Sequence, residues 1–392
     1  MDILHIVPSY YPAFKYGGPI ESVHLLNKTL VKKNINVDVL TTNTGLERRQ
    51  DIALNKWNNL DGVKIKYLPS YFYEHYTFSP HLFFAALSSV EKYDLVHITA
   101  VWNFPVLAGS LASLINKKPY VLSPRGALYD EAISLKSRNL KMIYFHLAAQ
   151  HCLKKASAVH FTTEHEKDNV AKSLNLHNQS FVIPNGLDLT GYEKLPERGT
   201  FKKKYPVLIN KKYILFLGRL NKQKGLDILI ESVKKLFDFD DNLFFVIAGP
   251  DNFGYKKVIE KQLSEYGLLN RTLFTGMLTG TDKLSAYVDA EVFVLSSYFE
   301  NFGMAVVEAM ACRTPVVISD RVGIAKNVEK NRAGLVVDIN PDSIFNGLKS
   351  LIDNKMLKDE IALNGRQLVE KNYNIDIIAD QMIAEYEKIL RA

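Results

Sequence analysis

Short runs of apolar, β-branched and aromatic residues alternate with longer segments of helical periodicity along the whole chain. Such alternation is typical of repeated strand–helix–strand units, in which helices cover a sheet of parallel strands. A helix is expected at 20–33. Because buried parallel strands read as continuous apolar runs, the sequence predicts strands at 3–7, 37–41, 63–68, 95–99, 120–123, 158–162 and 181–183, and then at 212–217, 243–248, 272–274, 292–295, 315–318 and 334–337. The expected fold class is therefore α/β.

The chain is too long for one hydrophobic core. It has 392 residues, of which 47% are hydrophobic, and single cores stop growing at about 250 to 300 residues. A turn-rich and polar stretch at 184–206 separates the two series of strands, so we expect a boundary near residue 185. The expected parts are a first domain at 1–185, a second domain at 186–373, and an amphipathic helix at 374–392 that packs back on the first domain. Two Rossmann-like, doubly wound domains of this kind would face a central cleft at the carboxyl ends of their strands.

Composition disfavours several classes of protein. The two cysteines, Cys152 and Cys312, lie far apart without CxxC or His-rich spacing, so neither a disulfide framework nor a zinc site is expected. The first residues lack the pattern of a signal peptide, and no run of about 18 apolar residues could cross a bilayer, so we expect a cytoplasmic protein. No zinc finger, RNP-like motif or basic zipper favours nucleic acid as a partner.

The net charge of +7 has two interpretations. It describes a solvated basic surface, or it attracts anionic lipid headgroups or a phosphate-bearing acceptor. The segment 136–155 mixes basic residues with Met, Ile, Tyr, Phe and Leu at partly helical spacing. This pattern fits a helix lying at the inner face of the membrane, and it fits equally a buried helix with basic ends.

The loop after the first strand of the second half carries two cations, Arg219 and Lys224, and opens into a helix. Arginine offers a fork that matches phosphate oxygens, while lysine supplies a compact charge, so the pair suits a diphosphate. Both side chains could stabilise the negative charge that grows on a departing diphosphate. A solvated basic turn is the alternative interpretation.

Two glutamates bracket the turn at 297–303. Glu300 lies in the loop, and Glu308 lies nearly two helical turns after Gly303, in a helix otherwise made of Ala, Val and Met. A carboxylate in so apolar a helix needs a partner. Two ribose hydroxyls would supply it, and the free amides at the helix start could hold phosphate oxygens. An ion pair with a neighbouring Lys or Arg is the alternative.

Taken in order along the chain, these elements resemble glycosyltransferase family 4, the group 1 glycosyltransferases. The resemblance rests on the motifs Gly17-Gly18-Pro19, Pro184-Asn185-Gly186-Leu187-Asp188, Gly218-Arg219 with Lys224-Gly225, Ala248-Gly249-Pro250, Thr275-Gly276, Glu300 with Glu308 in an E-x7-E element, and Pro315 through Asp320. It implies the GT-B fold and a retaining enzyme. Such an enzyme moves a sugar from a UDP- or GDP-sugar to a saccharide or lipid-linked saccharide acceptor in polysaccharide biosynthesis.

The resemblance also implies roles for individual residues. Arg219 and Lys224 would bind the donor diphosphate, and Glu300 would lie beside the transferred sugar; these three are the implied catalytic residues. The remaining implied donor-binding residues are Gly17, Gly18, Gly218, Gly249, Met277, Leu278, Asn301, Phe302, Gly303 and Glu308, with Glu308 on the ribose and the backbone at Met277 and Leu278 on the base. Neither a metal nor another cofactor is implied, because the cations do what Mg²⁺ does elsewhere.

Arg125 departs from the pattern of this family. Relatives often carry a histidine at the end of the fifth strand of the first domain, where this chain has Arg125. An arginine cannot act as a base at neutral pH, but it can bind a phosphate, a carboxylate or sugar oxygens. His97, at the end of the preceding strand, is a second candidate for the acceptor or sugar side, although a lone strand-end histidine is more often structural.

Two other functions fit parts of the sequence. A catalytically silent sugar-nucleotide or glycan-binding subunit could have the same fold, but the presence of Arg219, Lys224, Glu300 and Glu308 together argues against it. A nicotinamide oxidoreductase would also have doubly wound halves. The chain, however, has no GxGxxG motif after a strand with an acidic residue about 20 positions further on.

Overall fold

The computed structural model describes residues 1–13, 17–46, 52–72, 76–129, 133, 138–174, 179–252 and 254–392. The chain forms two compact units. The N-terminal unit comprises residues 1–186 together with 375–392, and the C-terminal unit comprises residues 187–374. None of the helices in the described ranges is long and apolar enough to span a membrane.

The N-terminal unit is built on an eight-stranded sheet of order β3-β4-β2-β1-β5-β6-β7-β8. Its strands are β1 (Asp2–Ile6), β2 (Asn36–Thr42), β3 (Trp57–Leu60), β4 (Val63–Leu68), β5 (Leu95–Thr99), β6 (Tyr120–Ser123), β7 (Ala158–Phe161) and β8 (Gln179–Val182). Its first helices are α1 (Gly18–Lys32), α2 (Pro80–Ser89), α3 (Phe104–Ile115), α4 (Arg138–Tyr144), α5 (Gln150–Lys155) and α6 (Glu164–Leu174). The strand order reverses between β1 and β5, which makes this sheet doubly wound.

One strand of this sheet was not predicted. β3 pairs antiparallel with β4 at the edge of the sheet, while every other described strand pair is parallel. Asn58 and Asn59 interrupt the apolar pattern because the edge strand is largely exposed. The turn at Asp61 and Gly62 has positive φ at both residues, which is the Asp-Gly signature of a tight hairpin.

The C-terminal unit has a six-stranded parallel sheet of order β11-β10-β9-β12-β13-β14. Its strands are β9 (Lys212–Leu217), β10 (Leu243–Ala248), β11 (Thr272–Gly276), β12 (Val292–Leu295), β13 (Val316–Ser319) and β14 (Leu335–Val337). Its helices are α7 (Thr200–Lys204), α8 (Leu226–Phe237), α9 (Lys256–Glu265), α10 (Gly280–Asp289), α11 (Met304–Ala311), α12 (Ala325–Lys330), α13 (Pro341–Asp353) and α14 (Lys355–Asn372). Every predicted strand is present in the two sheets, with ends displaced by at most two residues.

The chain order within the second sheet determines where a ligand can bind. The strands proceed outward from β9 to β10 and β11, and the chain then returns to the other side of β9 with β12. Doubly wound sheets bind ligands outside the carboxyl ends of the strands at such a reversal. The loops that follow β9 and β12 are therefore the first place to look for a site.

The last helix, α15 (Ile375–Arg391), returns to the N-terminal unit and packs against α1. Its buried residues follow helical spacing and share a core with α1 and with one face of the sheet; they are Ile375, Ile378, Ala379, Met382, Tyr386 and Ile389. Fully burying each large apolar side chain contributes about 1.5 to 3 kcal/mol. The C-terminal helix is thus an integral part of the N-terminal unit.

Candidate active site

The loops after β9 and β12 are held together by hydrogen bonds. The Tyr298 backbone N–H donates to the Gln223 carbonyl oxygen at 2.9 Å, and the Gln223 side-chain amide donates to the Phe299 carbonyl oxygen at 2.8 Å. The Ser296 hydroxyl donates to the Gly225 carbonyl oxygen at 2.9 Å. The two loops therefore form one connected surface at the strand-order reversal of the sheet.

Two of the predicted catalytic residues meet on this surface. The Lys224 ammonium and the Glu300 carboxylate form an ion pair. Their side chains are 16% and 19% exposed, so the pair is partly shielded from water but can still be reached. Arg219, half-buried in the same loop, forms no ion pair with any residue that the structure describes. Of the two predicted cations, Lys224 is therefore paired with a carboxylate, and Arg219 has no ionic partner among the described residues.

The predicted glycines bring neighbouring loops into backbone contact. A Cβ atom on Gly249, which has φ +138°, would lie 1.9 Å from the Gly218 carbonyl oxygen, so only glycine fits there. The Gly249 N–H donates to the Gly276 carbonyl oxygen at 2.7 Å, which joins the β10 loop to the loop carrying Met277 and Leu278. Met277 is exposed and Leu278 is buried. The loops after β9, β10 and β11 therefore form a continuous backbone surface.

Glycine is also required where α11 begins. Gly303 has φ +100°, and a Cβ atom there would lie 2.9 Å from a methyl carbon of Val322. The preceding Phe302 is buried against the ring of Tyr373, with centroids 5.6 Å apart. Asn301, before it, is only partly buried. The Phe302 anchor and the glycine fix where the amino end of α11 points.

Glu308 has two partners within the protein. Its carboxylate pairs with the Lys283 ammonium at 2.7 Å and accepts a hydrogen bond from the Tyr287 hydroxyl at 3.1 Å. Burial, and then the nearby carboxylate, raise the pKa of Tyr287 well above its ordinary value, so the phenol stays a donor. The ion pair considered as an alternative for Glu308 is present. A carboxylate offers about four acceptor positions, so room remains for another donor.

Lys283 and Tyr287 were missed by the sequence reasoning. They lie one turn apart on α10, and they face the carboxylate of α11. A Lys and a Tyr four residues apart on a helix share a face. That spacing was the only sign in the sequence that Lys283 and Tyr287 act together. Their contact with Glu308 becomes visible only when α10 lies beside α11.

In the N-terminal unit, a cavity of about 280 Å³ lies at the carboxyl ends of β1, β5 and β6. Its lining includes Val7, Thr99 and Arg125, and also Pro19 and Ile20 at the start of α1. Gly17, with φ 78°, and the exposed Gly18 form the turn that enters this helix. The predicted first-domain glycines therefore flank the cavity that Arg125 lines.

His97 is in a different place from the one expected of it. The side chain is completely buried, with Nδ1 2.5 Å from the Tyr386 hydroxyl and Nε2 3.1 Å from the Ser123 hydroxyl. Its ring stacks on His5 at 4.5 Å and meets His160 edge-on at 5.6 Å. Both ring nitrogens have partners inside the core, so the sugar-side role predicted for His97 is not supported. Its role is structural.

No cluster of three or more His, Cys, Asp or Glu side chains that could hold a metal occurs in the described parts of the chain. The predicted residues at the strand-order reversal include the cations Arg219 and Lys224 and the carboxylates of Glu300 and Glu308. Cationic side chains stabilise developing phosphate charge in the way that a metal ion does.

Two family models match consecutive stretches of the chain. Residues 16–190 match the model described as glycosyltransferase family 4, and residues 197–368 match that of the glycosyl transferases group 1. The chain belongs to this family of glycosyltransferases. Its fold is the GT-B fold, and its activity class is glycosyl transfer.

Individual relatives agree with this assignment. An uncharacterized glycosyltransferase of Methanocaldococcus jannaschii is 26% identical over 389 residues, which is 96% of each chain. The capsular polysaccharide biosynthesis glycosyltransferase CapM of Staphylococcus aureus is 24% identical over 73% of this chain and 74% of that protein. The crystal structure of Anabaena HepE in complex with UDP-glucose superimposes with a TM-score of 0.76 at 21% identity, covering 99% of this chain and 100% of that chain.

Proposed function

We propose that this glycosyltransferase is a retaining, metal-independent enzyme whose C-terminal unit binds a nucleoside-diphosphate sugar. Its acceptor would be a saccharide or lipid-linked saccharide of a polysaccharide pathway. The observation that carries the proposal is the placement of Arg219 and of the Lys224–Glu300 ion pair at the strand-order reversal of the second sheet. The binding of UDP-glucose by the similar Anabaena protein supports a UDP-sugar as donor.

The C-terminal loops supply the groups that such a donor needs. Arg219 and Lys224 bind the diphosphate beside the backbone surface where Gly249 packs directly against Gly218. The amino end of α11, with Asn301, Phe302 and Gly303 before it, offers backbone N–H groups to the same oxygens. Glu308 accepts hydrogen bonds from the ribose, and the backbone at Met277 and Leu278 holds the base.

The reaction breaks the bond between the anomeric carbon and the diphosphate oxygen. Negative charge grows on that oxygen as the bond lengthens, and Arg219 and Lys224 stabilise it in a site partly shielded from water. Glu300 keeps the Lys224 ammonium in place and lies beside the sugar that is transferred. Positive charge on side chains thus does the work that Mg²⁺ does in other enzymes.

The state of the two carboxylates supports retention. An inverting enzyme needs a general base for the acceptor proton, and both carboxylates assigned to the donor site are already paired, Glu300 with Lys224 and Glu308 with Lys283. In this mechanism the leaving diphosphate oxygen serves as the base. It takes the acceptor proton on the face it has just left, and the acceptor oxygen bonds to the anomeric carbon on that same face.

The test of donor binding is a panel of UDP-, GDP- and ADP-sugars incubated with the protein in EDTA, with the released nucleotide counted. We expect slow hydrolysis of at least one donor, and much slower release by the Lys224→Ala variant. Release that depends on Mg²⁺ or Mn²⁺ would contradict the metal-independent part of the proposal.

A membrane contact of the N-terminal unit has separate support. α4 has no buried residue. Leu140 and Ile143 within it are 67% and 56% exposed, and Leu147, three residues after its end, is 79% exposed. The exposed Lys154 and Lys155 end the following helix. Exposed apolar residues with flanking cations are typical of helices that lie on anionic membranes. This surface would place the enzyme at a membrane carrying a lipid-linked acceptor.

A further inference from the structure

Arg125 has fewer hydrogen-bond acceptors among the described residues around it than its guanidinium has N–H donors. It follows β6 in the left-handed region, with φ 54°, a conformation that costs energy for a residue other than glycine. One terminal nitrogen donates to the Asn185 side-chain oxygen. The Nε atom is buried, and it finds no acceptor among the residues that the structure describes. A strained backbone here positions a guanidinium in the cavity wall with part of its hydrogen bonding unmet.

The nearest carboxylate does not complete these hydrogen bonds. Glu166 is fully buried and lies close enough to Arg125 to favour its charged form. Its oxygens, however, already accept from the Gly126 N–H and from the Thr162 N–H and hydroxyl, the latter two at 2.9 Å. Glu166 therefore offsets part of the charge of Arg125 but gives it no hydrogen bond.

Arg125 remains a cation at neutral pH. Burial lowers its pKa to about 10, which is still far above 7. The neighbouring histidines add no charge, since burial lowers the pKa of His5 to about 4 and that of His160 to about 3. The lining of the cavity thus includes one positive group, Arg125, whose charge is offset only in part by Glu166.

We propose that this cavity binds an anionic group of the acceptor, a carboxylate or a phosphate, through Arg125. An anion in the cavity would pair with the guanidinium that lines it, through the strong, charge-assisted kind of hydrogen bond. The cavity of about 280 Å³ is near the lower limit of small-ligand pockets, which begin at about 300 Å³, so it suits about one sugar ring bearing such a group. The inference rests on the proposed function and deepens it, because it selects acidic or phosphorylated saccharides over neutral ones.

The experiment observes Arg125 directly in the full chain. The Nε–Hε signal of Arg125 is assigned in a ¹⁵N spectrum by its loss in Arg125→Gln or, if that variant does not fold, in Arg125→Lys. D-Glucuronate and inorganic phosphate are titrated separately, with D-glucose and sodium chloride at matched ionic strength as comparisons. We expect a saturable shift of this signal with glucuronate, phosphate or both, and none with glucose or chloride. The first two arms distinguish a carboxylate from a phosphate.

Two variants test the cause of the shift. Asn185→Asp keeps the reporter and gives Arg125 an internal carboxylate, so it should weaken binding of the anion by about tenfold or more. Lys92→Gln removes an exposed cation near the amino end of β5, opposite the cavity, and should leave the affinity unchanged. No saturable shift with either anion, or an equal shift with chloride, would overturn the inference. UDP binding is measured on the same sample to separate the proposed donor site from the proposed anion site. A protein that does not bind UDP would count against the donor site alone.

Discussion

Three cations and two carboxylates determine the electrostatics of the proposed donor site. Lys224 is paired with Glu300 and Lys283 with Glu308, whereas Arg219 has no ionic partner among the described residues. The pairs position their lysines but neutralise much of their charge. Among these three cations, Arg219 is therefore the one whose positive charge is least neutralised by a carboxylate.

Replacing Arg219 should mainly affect the chemical step. Arg219→Ala is expected to lower kcat more than it raises KM, because the negative charge on the diphosphate that Arg219 contacts is largest in the transition state. The expected loss of transition-state stabilisation is about 2.7 to 4 kcal/mol. Steady-state kinetics with the preferred donor measures both constants. Arg219→Lys keeps the positive charge but lacks the forked guanidinium, so its kcat should lie between those of the unaltered protein and Arg219→Ala. An effect confined to KM would remove Arg219 from the reacting end of the donor.

Replacing Glu308 should weaken nucleotide binding through the ribose. Glu308→Ala is expected to cost about 1 to 3 kcal/mol of UDP affinity, since the ribose hydroxyls lose their acceptor. Calorimetry with UDP and with an analogue lacking both ribose hydroxyls separates this from damage to the Lys283 pair. The variant should bind the analogue as well as the unaltered protein does. Equal losses for both ligands would assign Glu308 a structural role.

In the secondary structure, the apolar pattern of the sequence predicted the buried strands well, but it did not predict which residues pair across loops. β12 reads as a buried run, and its four residues are all buried. β3 was missed because Asn58 and Asn59 carry no strand pattern. The pairing of Lys224 with Glu300, 76 residues apart, depends on β9 lying beside β12. The order of the strands along the chain does not show that β9 and β12 are neighbours in the sheet, although the motifs indicated the loops that follow these two strands.

A row of buried histidines crosses strands β1, β5 and β7 and should make the N-terminal unit sensitive to acid. In the unfolded chain a histidine titrates near 6.5, while burial lowers the native pKa of His5 to about 4 and that of His160 to about 3. The unfolded state therefore binds more protons below pH 6.5. The contribution of each histidine to the free energy of unfolding is present above that pH and falls by up to about 1.4 kcal/mol per pH unit below it.

Urea denaturation at several pH values between 7 and 4.5 measures this slope. Burial raises the pKa of Glu166, which contributes in the opposite direction, so the informative quantity is the change in slope on substitution. His5→Gln should flatten the dependence, and His151→Gln, at an exposed position, should not. An unchanged slope in His5→Gln would mean that this histidine is not held neutral.

The exposed apolar residues of α4, together with Leu147 just after it, should bind anionic lipid. Changing Leu140, Ile143 and Leu147 together to Ser is expected to reduce sedimentation with phosphatidylglycerol vesicles by about tenfold or more, because apolar area that would enter the membrane is lost. Phe84→Ser removes an equally exposed apolar side chain of α2 and serves as the control. Vesicle binding that is the same in the triple variant and in the unaltered protein would exclude α4 as the contact.

At the scale of the whole molecule, the two units divide the proposed work. The C-terminal unit carries the donor groups around Arg219, Lys224 and Glu308, and the N-terminal unit carries the cavity lined by Arg125. Both sets of groups lie where the strand order of their own sheet reverses. Sequence resemblance located these regions, but it could not show that His97 is buried or that Arg125 has an unmet donor, since both depend on packing within the N-terminal unit.

The anomeric configuration of the released sugar tests the central claim most directly. The full chain in EDTA is incubated with α-linked UDP-, GDP- and ADP-sugars, and the anomeric proton of the first product is followed by ¹H NMR before the free sugar equilibrates. We expect hydrolysis of at least one donor, with the α-anomer appearing first. Initial appearance of the β-anomer, or no turnover of any donor, would contradict it.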